Sequence, residues 1–313
     1  MQKKRLFTGL QPSGALHIGN YFGALKPAVE MCKEYDSMLM VADYHALTSL
    51  KKPDELRENI IEIVKAYIAA GIDPEKSVIF KQSDVPEHTE LAWIFQCLVT
   101  TAFLERSHAY KDKIARGLEA NAGLFAYPML MAADILLYDT DVVPVGEDQR
   151  QHLEYAREAA AKFNNAFGET FKEPKEMILK SVAVVPGIDG KKMSKSYGNT
   201  IPLFGSKDEI AKAVMSIITD SKGERPENVY AIHRAFKTDM ELASLYEKNK
   251  GSYKALKEAL IADIEAVVAP MRAKRDSISD GDVKRVLEDG GKRARERAST
   301  KMADVRKKVG VAL

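Results

Sequence analysis

Two short motifs carry residues able to handle a triphosphate: His17-Ile18-Gly19-Asn20, and Lys192-Met193-Ser194-Lys195-Ser196. The first follows an apolar run, Leu6 to Gly9, and a turn at Pro12-Ser13-Gly14, where a strand hands over to a helix. A helix start offers unpaired N–H groups and the positive end of a dipole, and both suit phosphate. Gly19 has no side chain, so a flat purine could approach the backbone there. His17 and Asn20 add side-chain donors on the phosphate side. The second motif lies in a loop bearing Gly187, Gly190 and Gly198, after the apolar run Val182 to Val185. Lys192 and Lys195, with Ser194 and Ser196, make a compact cationic donor cluster. Such a cluster suits the charge that builds on a departing pyrophosphate. Each motif alone has a plainer reading, His17 as a turn residue and the lysines as solvated surface groups. Only the pair points to nucleotide chemistry.

The elements that must position these motifs alternate through the first half of the chain. Ser37 to Ala42 is an apolar strand candidate ending in polar Asp43, Tyr44 and His45. Pro53 opens a helix with Ile60, Ile61, Val64, Tyr67 and Ile68 on one face, and Gly71 stops it. Ser77 to Phe80 reads as a third strand. Val142 to Val145 reads as a fourth, its proline suited to an edge or a strand end. A helix from Glu147 turns Leu153, Ala156, Ala160 and Phe163 inward. This alternation predicts an α/β fold with a parallel sheet and crossover helices. Ligands bind beyond the carboxyl ends of such strands, so the Leu10–Asn20 turn, Asp43–His45 and Gly146–Gln149 should converge on one crevice. Past residue 200 strand signals fade, and Ile210–Ile218, Leu242–Tyr246, Tyr253–Val268 and Val283–Val309 are helix-like. The last stretch is rich in Lys292, Arg293, Arg295, Arg297, Lys301, Arg306, Lys307 and Lys308. That pattern reads as a solvated helix face or as a contact for a polyanion.

With 313 residues the chain can bury a large domain plus a smaller one. Hydrophobic residues at 45% and charged residues at 29% are ordinary for a soluble globular protein. A net charge of +2 does not itself imply nucleic acid, so any basic surface must be local. Cys32 and Cys97 are the only cysteines, which argues against a disulfide framework and against a cysteine-rich zinc or iron–sulfur site. The apolar stretch after Met1–Arg5 is too short for a secretory signal, and no run reaches the roughly 18 apolar residues of a membrane helix. A cytoplasmic protein is expected.

The pair HIGN and KMSKS resembles the two hallmark motifs of class I aminoacyl-tRNA synthetases. Over nearly its full length the chain is similar to the bacterial tryptophanyl-tRNA synthetase family. The supporting stretches are Gly9 to Gly14, Ala42 to Thr48, Tyr127 to Leu136 and Val143 to His152. The resemblance implies a Rossmann-type parallel-sheet catalytic domain at 1–190. A smaller all-helical part at 191–313 would carry the KMSKS loop and an anticodon-binding region, with the last helix free to pack back. It implies ATP-dependent activation of L-tryptophan with Mg²⁺ carried on the phosphates, then transfer to tRNA(Trp), in a homodimer. Neither DNA nor a membrane is implied as a partner.

Residue by residue, the resemblance assigns His17, Asn20, Lys192 and Lys195 to catalysis. ATP falls to these four and to Gln11, Pro12, Ser13, Gly19, Gly146, Glu147, Asp148, Met193, Ser194 and Ser196, with Gly146 and Asp148 toward the ribose. Phe7, His45, Val145 and Gln149 should line the amino-acid pocket. Tyr127 and Gln149 are assigned to the substrate ammonium, and Gln11 to its carboxylate and the α-phosphate.

Tyr127, Met131 and Asp134 fall on one helix face. The related tyrosyl family typically has Gln where Met131 stands, helping to bind a phenol hydroxyl. A thioether there suits a wide ring. Indole N–H is a donor only and a carboxylate an acceptor only, so Asp134 matches tryptophan. Plainer readings keep Met131 in the core and Asp134 on a neighbouring backbone group. A carboxylate in the apolar stretch Met129–Leu137 is nevertheless costly unless satisfied.

The chain also departs from the family. Many bacterial members carry Thr at His17, where histidine is the broader class I choice. Asp43-Tyr44-His45 replaces a more frequent Asp-Gln-His. Both flanks of the KMSKS loop, Val185–Gly190 and Tyr197–Asn199, are atypical. With no cysteine after Cys97, the iron–sulfur cluster of some relatives is not expected. Rival readings are a tyrosyl-tRNA synthetase, a small-molecule nucleotidyltransferase with an HxGH-type motif, and a non-catalytic synthetase paralogue.

Overall fold

The computed structural model describes residues 3–117, 119–145, 150–178, 185–219 and 225–312. Strands β1 (Arg5–Leu10), β2 (Asp36–Val41), β3 (Val78–Lys81), β4 (Val142–Val145) and β5 (Lys175–Ile178) form one sheet in the order β3-β2-β1-β4-β5. Every adjacent pair is parallel, and β1 matches β2 from Arg5↔Asp36 to Leu10↔Val41. This is the expected Rossmann-type fold. Strand order reverses between β1 and β4, which opens a crevice at their carboxyl ends. β2 shows why the sheet is covered on both sides. Met38 and Met40 join one buried apolar cluster, while Leu39 and Val41 join the other, as the two-residue period of a strand dictates.

Two details differ from the sequence reading. β4 is interior, and the outer position belongs to β5, which was not anticipated. Its polar start, Lys175-Glu176, masks it, but charge suits an exposed edge. Pro144 is tolerated because β4 pairs with β1 only at Leu6↔Val142, so its missing N–H interrupts no ladder bond on that side. Most of the Val182–Val185 run lies outside the described residues.

The helices of the first half are α1 (Ile18–Asn20), α2 (Lys26–Glu34), α3 (Asp43–Ala46), α4 (Pro53–Ala70), α5 (Glu87–Gln96), α6 (Thr101–Leu104), α7 (His108–Ala115), α8 (Ala122–Leu136) and α9 (Arg150–Phe167). Gly71 ends α4 with a left-handed φ of 111°, a conformation glycine adopts without strain. The inward face of α4 centres on Ile63, Val64 and Tyr67, with Ile60, Ile61 and Ile68 packed beside them. In α9 the expected Leu153, Ala156, Ala160 and Phe163 are buried.

The C-terminal helices are α10 (Lys207–Met215), α11 (Glu227–His233), α12 (Asp239–Lys248), α13 (Tyr253–Asp276) and α14 (Asp280–Lys308). Ile210, Leu260, Ile264 and Val283 share a cluster with Leu39, Ile63 and Ile79 of the sheet layer. Among the described residues no helix is long and apolar enough to cross a membrane.

Helix α14 lies against the edge strand β3. At Gly290 an added Cβ would stand 1.8 Å from the Ile79 carbonyl oxygen, so only a bare backbone fits. Gly290→Val is expected to lower stability by about 3 kcal/mol through overpacking, seen as a lower urea midpoint. An unchanged midpoint would contradict this seating.

The basic run on α14 is not simply a solvated face, because Arg297, Lys301 and Arg306 pair with acids of the sheet half. Arg297 grips Asp36 with two bonds of 3.0 and 3.1 Å, and Arg306 grips Glu90 with bonds of 2.7 and 2.5 Å. Lys301 reaches Asp139 at 2.5 Å and Arg293 donates to the Pro74 carbonyl at 3.0 Å. Lys292 and Lys307 stay exposed.

Candidate active site

The two motifs meet although they lie at opposite ends of the sheet half. Ile18 N donates to Ile201 O at 3.0 Å and Leu203 N to Leu16 O at 2.9 Å. The strand-like strap after the KMSKS loop is thereby sewn onto the start of α1. From there α1 runs through a π-helical turn, Tyr21–Leu25, into α2. His17 N donates to Asn20 Oδ1 at 3.0 Å, which turns the amide NH2 of Asn20 into its outward donor.

His17 is 7% exposed, and its Nδ1 is buried with no hydrogen-bond partner among the described residues. A Cβ at Gly19 would lie 2.9 Å from that Nδ1. The bareness of Gly19 therefore first makes room for the imidazole, an adjustment to the purine role read from sequence. Burial, and then the charge of Lys195, lower the His17 pKa to about 4. The ring is neutral at pH 7, and an unpaired buried nitrogen is a cost that a ligand can remove.

A titration tests this assignment. The His17 ring signal in NMR should move with a midpoint near 4 in the free protein, and ATP should raise that midpoint because an anion favours imidazolium. Linkage has a definite sign here. Between pH 6.5 and about 4 the unfolded chain binds this proton more readily, so stability falls as pH falls through that window. A midpoint near 6.5 would remove the ring from its buried seat.

Lys195 Nζ donates to Gly14 O at 3.0 Å and stands 3.5 Å from Ser13 Oγ. Its stem is exposed, but the ammonium meets the Pro12–Gly14 turn, and this desolvation lowers its pKa. The turn is fixed by Ser13 N donating to Gln11 O at 2.9 Å and by Asn59 Nδ2 donating to Pro12 O at 3.4 Å. Met193 is 5% exposed and joins the apolar cluster that holds Ile18. Its side chain roots the loop, which leaves its backbone for the ATP contact read from sequence. Ser194 Oγ and Ser196 Oγ lie 2.9 Å apart on the exposed side.

The atypical loop flanks prove to be its fastening. Asn199 is 2% exposed. Its Oδ1 accepts from Ser194 N at 2.8 Å, while Nδ2 donates to Asp189 Oδ1 at 2.7 Å and to Lys192 O at 3.2 Å.

At the other end of the crevice, Asp134 is 1% exposed on α8. Gln82 Nε2 donates to its two oxygens at 2.8 and 3.0 Å, and His45 Nε2 reaches Oδ2 at 2.9 Å. His88 Nδ1 stands 2.7 Å from Oδ1, an ion-pair distance with imperfect hydrogen-bond alignment. Burial acts to raise the Asp134 pKa, but the bond from His45 and the charge and bond of His88 outweigh it and hold it at about 2.

Around this carboxylate stand the half-buried His45, Tyr127 and Met131. The His45 and Tyr127 rings are edge to face at 6.3 Å. Phe7 stacks on Tyr138 with centroids 5.7 Å apart and is 4% exposed, so it forms floor rather than wall. Gln11 Nε2 donates to His45 O at 3.3 Å, linking the amino-acid end to the turn that meets Lys195. Tyr127 OH lies 3.1 Å from Ser107 Oγ and 3.2 Å from His152 Nε2. Val145 ends β4, and Gly146, Glu147, Asp148 and Gln149 lie outside the described residues.

The geometry offers cations and N–H donors at one end and an acceptor-only carboxylate at the other. Residues 1–280 match the family model described as "tRNA synthetases class I (W and Y)". The chain belongs to this family. Within it the similarity is to bacterial tryptophan members. The Tryptophan--tRNA ligase of Fusobacterium nucleatum is 48% identical over 319 residues, spanning 98% of each chain. That of Rhodopirellula baltica is 44% identical over 98% of this chain and 99% of its own. The crystal structure of the Campylobacter jejuni tryptophanyl-tRNA synthetase, complexed with ADP and tryptophan, superposes with a TM-score of 0.91. It is 42% identical and covers 98% of this chain and 99% of that one. The chain is an aminoacyl-tRNA synthetase, of the tryptophan branch.

Gln82, His88 and Asn199 were missed in sequence, although all three are buried at the synthetase's two ends. Gln82 follows β3, so its place beyond a strand end was a usable signal. His88 and Asn199 carried none, because their roles depend on distant partners.

Proposed function

We propose that this synthetase activates L-tryptophan with ATP and then charges tRNA(Trp). The tryptophan carboxylate attacks the α-phosphorus in line, forming one O–P bond as the bond to pyrophosphate breaks. A ribose hydroxyl at the tRNA 3′ end then attacks the acyl carbon, and AMP leaves. No side-chain nucleophile is needed, so catalysis is positioning and charge stabilisation.

His17 and Asn20 bind phosphate oxygens, and Lys192 and Lys195, with Ser194 and Ser196, close on the pyrophosphate. Gln11 serves the substrate carboxylate and α-phosphate, while Gly146 and Asp148 serve the ribose. Tyr127 and Gln149 take the ammonium. His45, Met131 and Val145 surround the ring, with Phe7 as the floor beneath. The groups assigned to the phosphates are cationic, imidazole, amide or hydroxyl groups rather than carboxylates. They fit phosphate oxygens, with Mg²⁺ riding on the nucleotide and neutralising its charge.

The observation that carries the choice of amino acid is Asp134, buried and acceptor-only, one helix face with Met131. A phenol hydroxyl would find a thioether where it needs a polar partner, and an unpaired polar group costs about 1–3 kcal/mol. ATP–pyrophosphate exchange tests the reading directly. Exchange should require tryptophan, and exchange with tyrosine alone would overturn it. The same reading places the synthetase in the cytoplasm as a homodimer, with the helical C-terminal part meeting the anticodon. Sedimentation with and without tRNA(Trp) checks both partners.

A further inference from the structure

Asp134 is held from behind by groups that no substrate can reach. Gln82 and His88 are both 0% exposed. The orientation of Gln82 is fixed twice over. Its Oε1 accepts from His45 N at 3.4 Å, which leaves Nε2 to span both oxygens of Asp134 at 2.8 and 3.0 Å. Because a carboxylate cannot donate, the reversed amide would place oxygen against oxygen. The turn carrying Gln82 is itself tied down, since Ser83 N donates to Asp43 Oδ1 at 3.0 Å and Ser83 Oγ to Oδ2 at 2.5 Å.

His88 is fixed in the same manner. Tyr138 OH lies 2.8 Å from Nε2, and the imidazole is stacked on Phe80 at 6.1 Å and 23°. A phenol donating to Nε2 puts the ring proton on Nδ1, facing Asp134 Oδ1 at 2.7 Å. His45 is the remaining partner and differs in place, being 14% exposed on the pocket side of Oδ2. From the protein interior Gln82 thus spans both oxygens and His88 stands beside Oδ1, and the direction on Oδ2 that His45 occupies is the one on the pocket side.

We propose that Gln82 and His88, with Tyr138 behind His88, are positioning residues that aim Asp134 Oδ2 at the ring N–H of the substrate. Their fixed geometry makes ring N–H recognition, rather than pocket shape alone, the source of selectivity. This rests on the reading of Asp134 as the indole acceptor. A carboxylate locked in one rotamer loses no freedom on binding, so an N–H gains the full strength of a charge-assisted bond. A ring without the N–H leaves that acceptor unpaired.

The probe is L-tryptophan against L-3-(benzothien-3-yl)alanine, which has sulfur in place of N–H and nearly the same shape. Affinity for each is measured by calorimetry on the full-length synthetase. The parent protein should prefer tryptophan by about tenfold or more. Gln82→Met, isosteric but without donors, should cut that preference roughly fivefold while the analogue's affinity stays within about twofold. His88→Leu should act alike. His88→Asn, whose amide nitrogen falls near the place of Nδ1, should restore most of the preference.

Equal weakening of both ligands in Gln82→Met and His88→Leu would mark a merely structural role and overturn the proposal. No preference in the parent protein would instead remove Asp134 as the indole acceptor, and this proposal with it. Where those variants fail to fold, Tyr138→Phe carries the test, since it deletes one hydroxyl at constant volume. A preference lowered about two- to threefold supports the arrangement, and an unchanged one overturns it.

Discussion

Lys195→Ala is expected to slow tryptophan-dependent ATP–pyrophosphate exchange by about a hundred- to a thousandfold. That is the usual cost of removing one pre-placed charge or donor from a transition state. Tryptophan affinity should change little, because Lys195 lies at the Pro12–Gly14 turn and not among the groups around Asp134. The ammonium already sits on Gly14 O at 3.0 Å in the free protein, and desolvation has lowered its pKa. In the proposed function it gains most when pyrophosphate charge develops beside it. Pre-steady-state exchange with separate measurement of tryptophan binding makes the distinction. A rate loss matched by an equal loss of tryptophan affinity would count against the assignment.

Asp134→Asn should have the second large effect, at the opposite end of the crevice. The change presents an NH2 group to Gln82 Nε2, His45 Nε2 and His88 Nδ1, all of which face acceptors in the parent protein. At least one donor then meets a donor. Stability should fall by about 1–3 kcal/mol, the cost of leaving a buried polar group unsatisfied. Tryptophan affinity should fall about 10- to 100-fold, and discrimination against phenylalanine and tyrosine should shrink with it. The pH dependence follows from the lowered carboxyl. With a folded pKa of about 2 against a usual 3.8, Asp134 contributes stability above the usual value and loses it as the pH falls toward 2. Asp134→Asn should flatten that acid limb of the stability curve. Selectivity and acid limb both unchanged would sink the assignment.

The parallel sheet was legible because its strands are short apolar runs, each closed by polar or turn residues. Helices were legible where a 3.6-residue apolar period met a stop such as Gly71. β5 was not, since an edge strand beginning Lys175-Glu176 lacks the apolar run. The pairing of Arg297, Lys301 and Arg306 on α14 was not legible for a related reason. Charge on a helix face gives its sign but not its partner, and Asp36 and Glu90 lie far away in sequence.

Within the site, the amino acids of the two motifs and the Tyr127–Met131–Asp134 face were readable as chemistry, since donor and acceptor types are properties of the residues. Their placement was not readable. The neutrality of His17 arises from its burial beside Lys195, and the hold on the loop by Asn199 needs the fold of residues 187–199. The clamp on Asp134 brings together the ends of β2 and β3 with α5 and α8. The sequence by itself determined which groups this synthetase can offer, because side-chain chemistry and short-range periodicity are local. The tertiary structure decided which of them are desolvated, which are paired and which stay open to substrate. Those properties depend on the distance between groups remote in sequence, and only the sheet order and the packing around it set that distance.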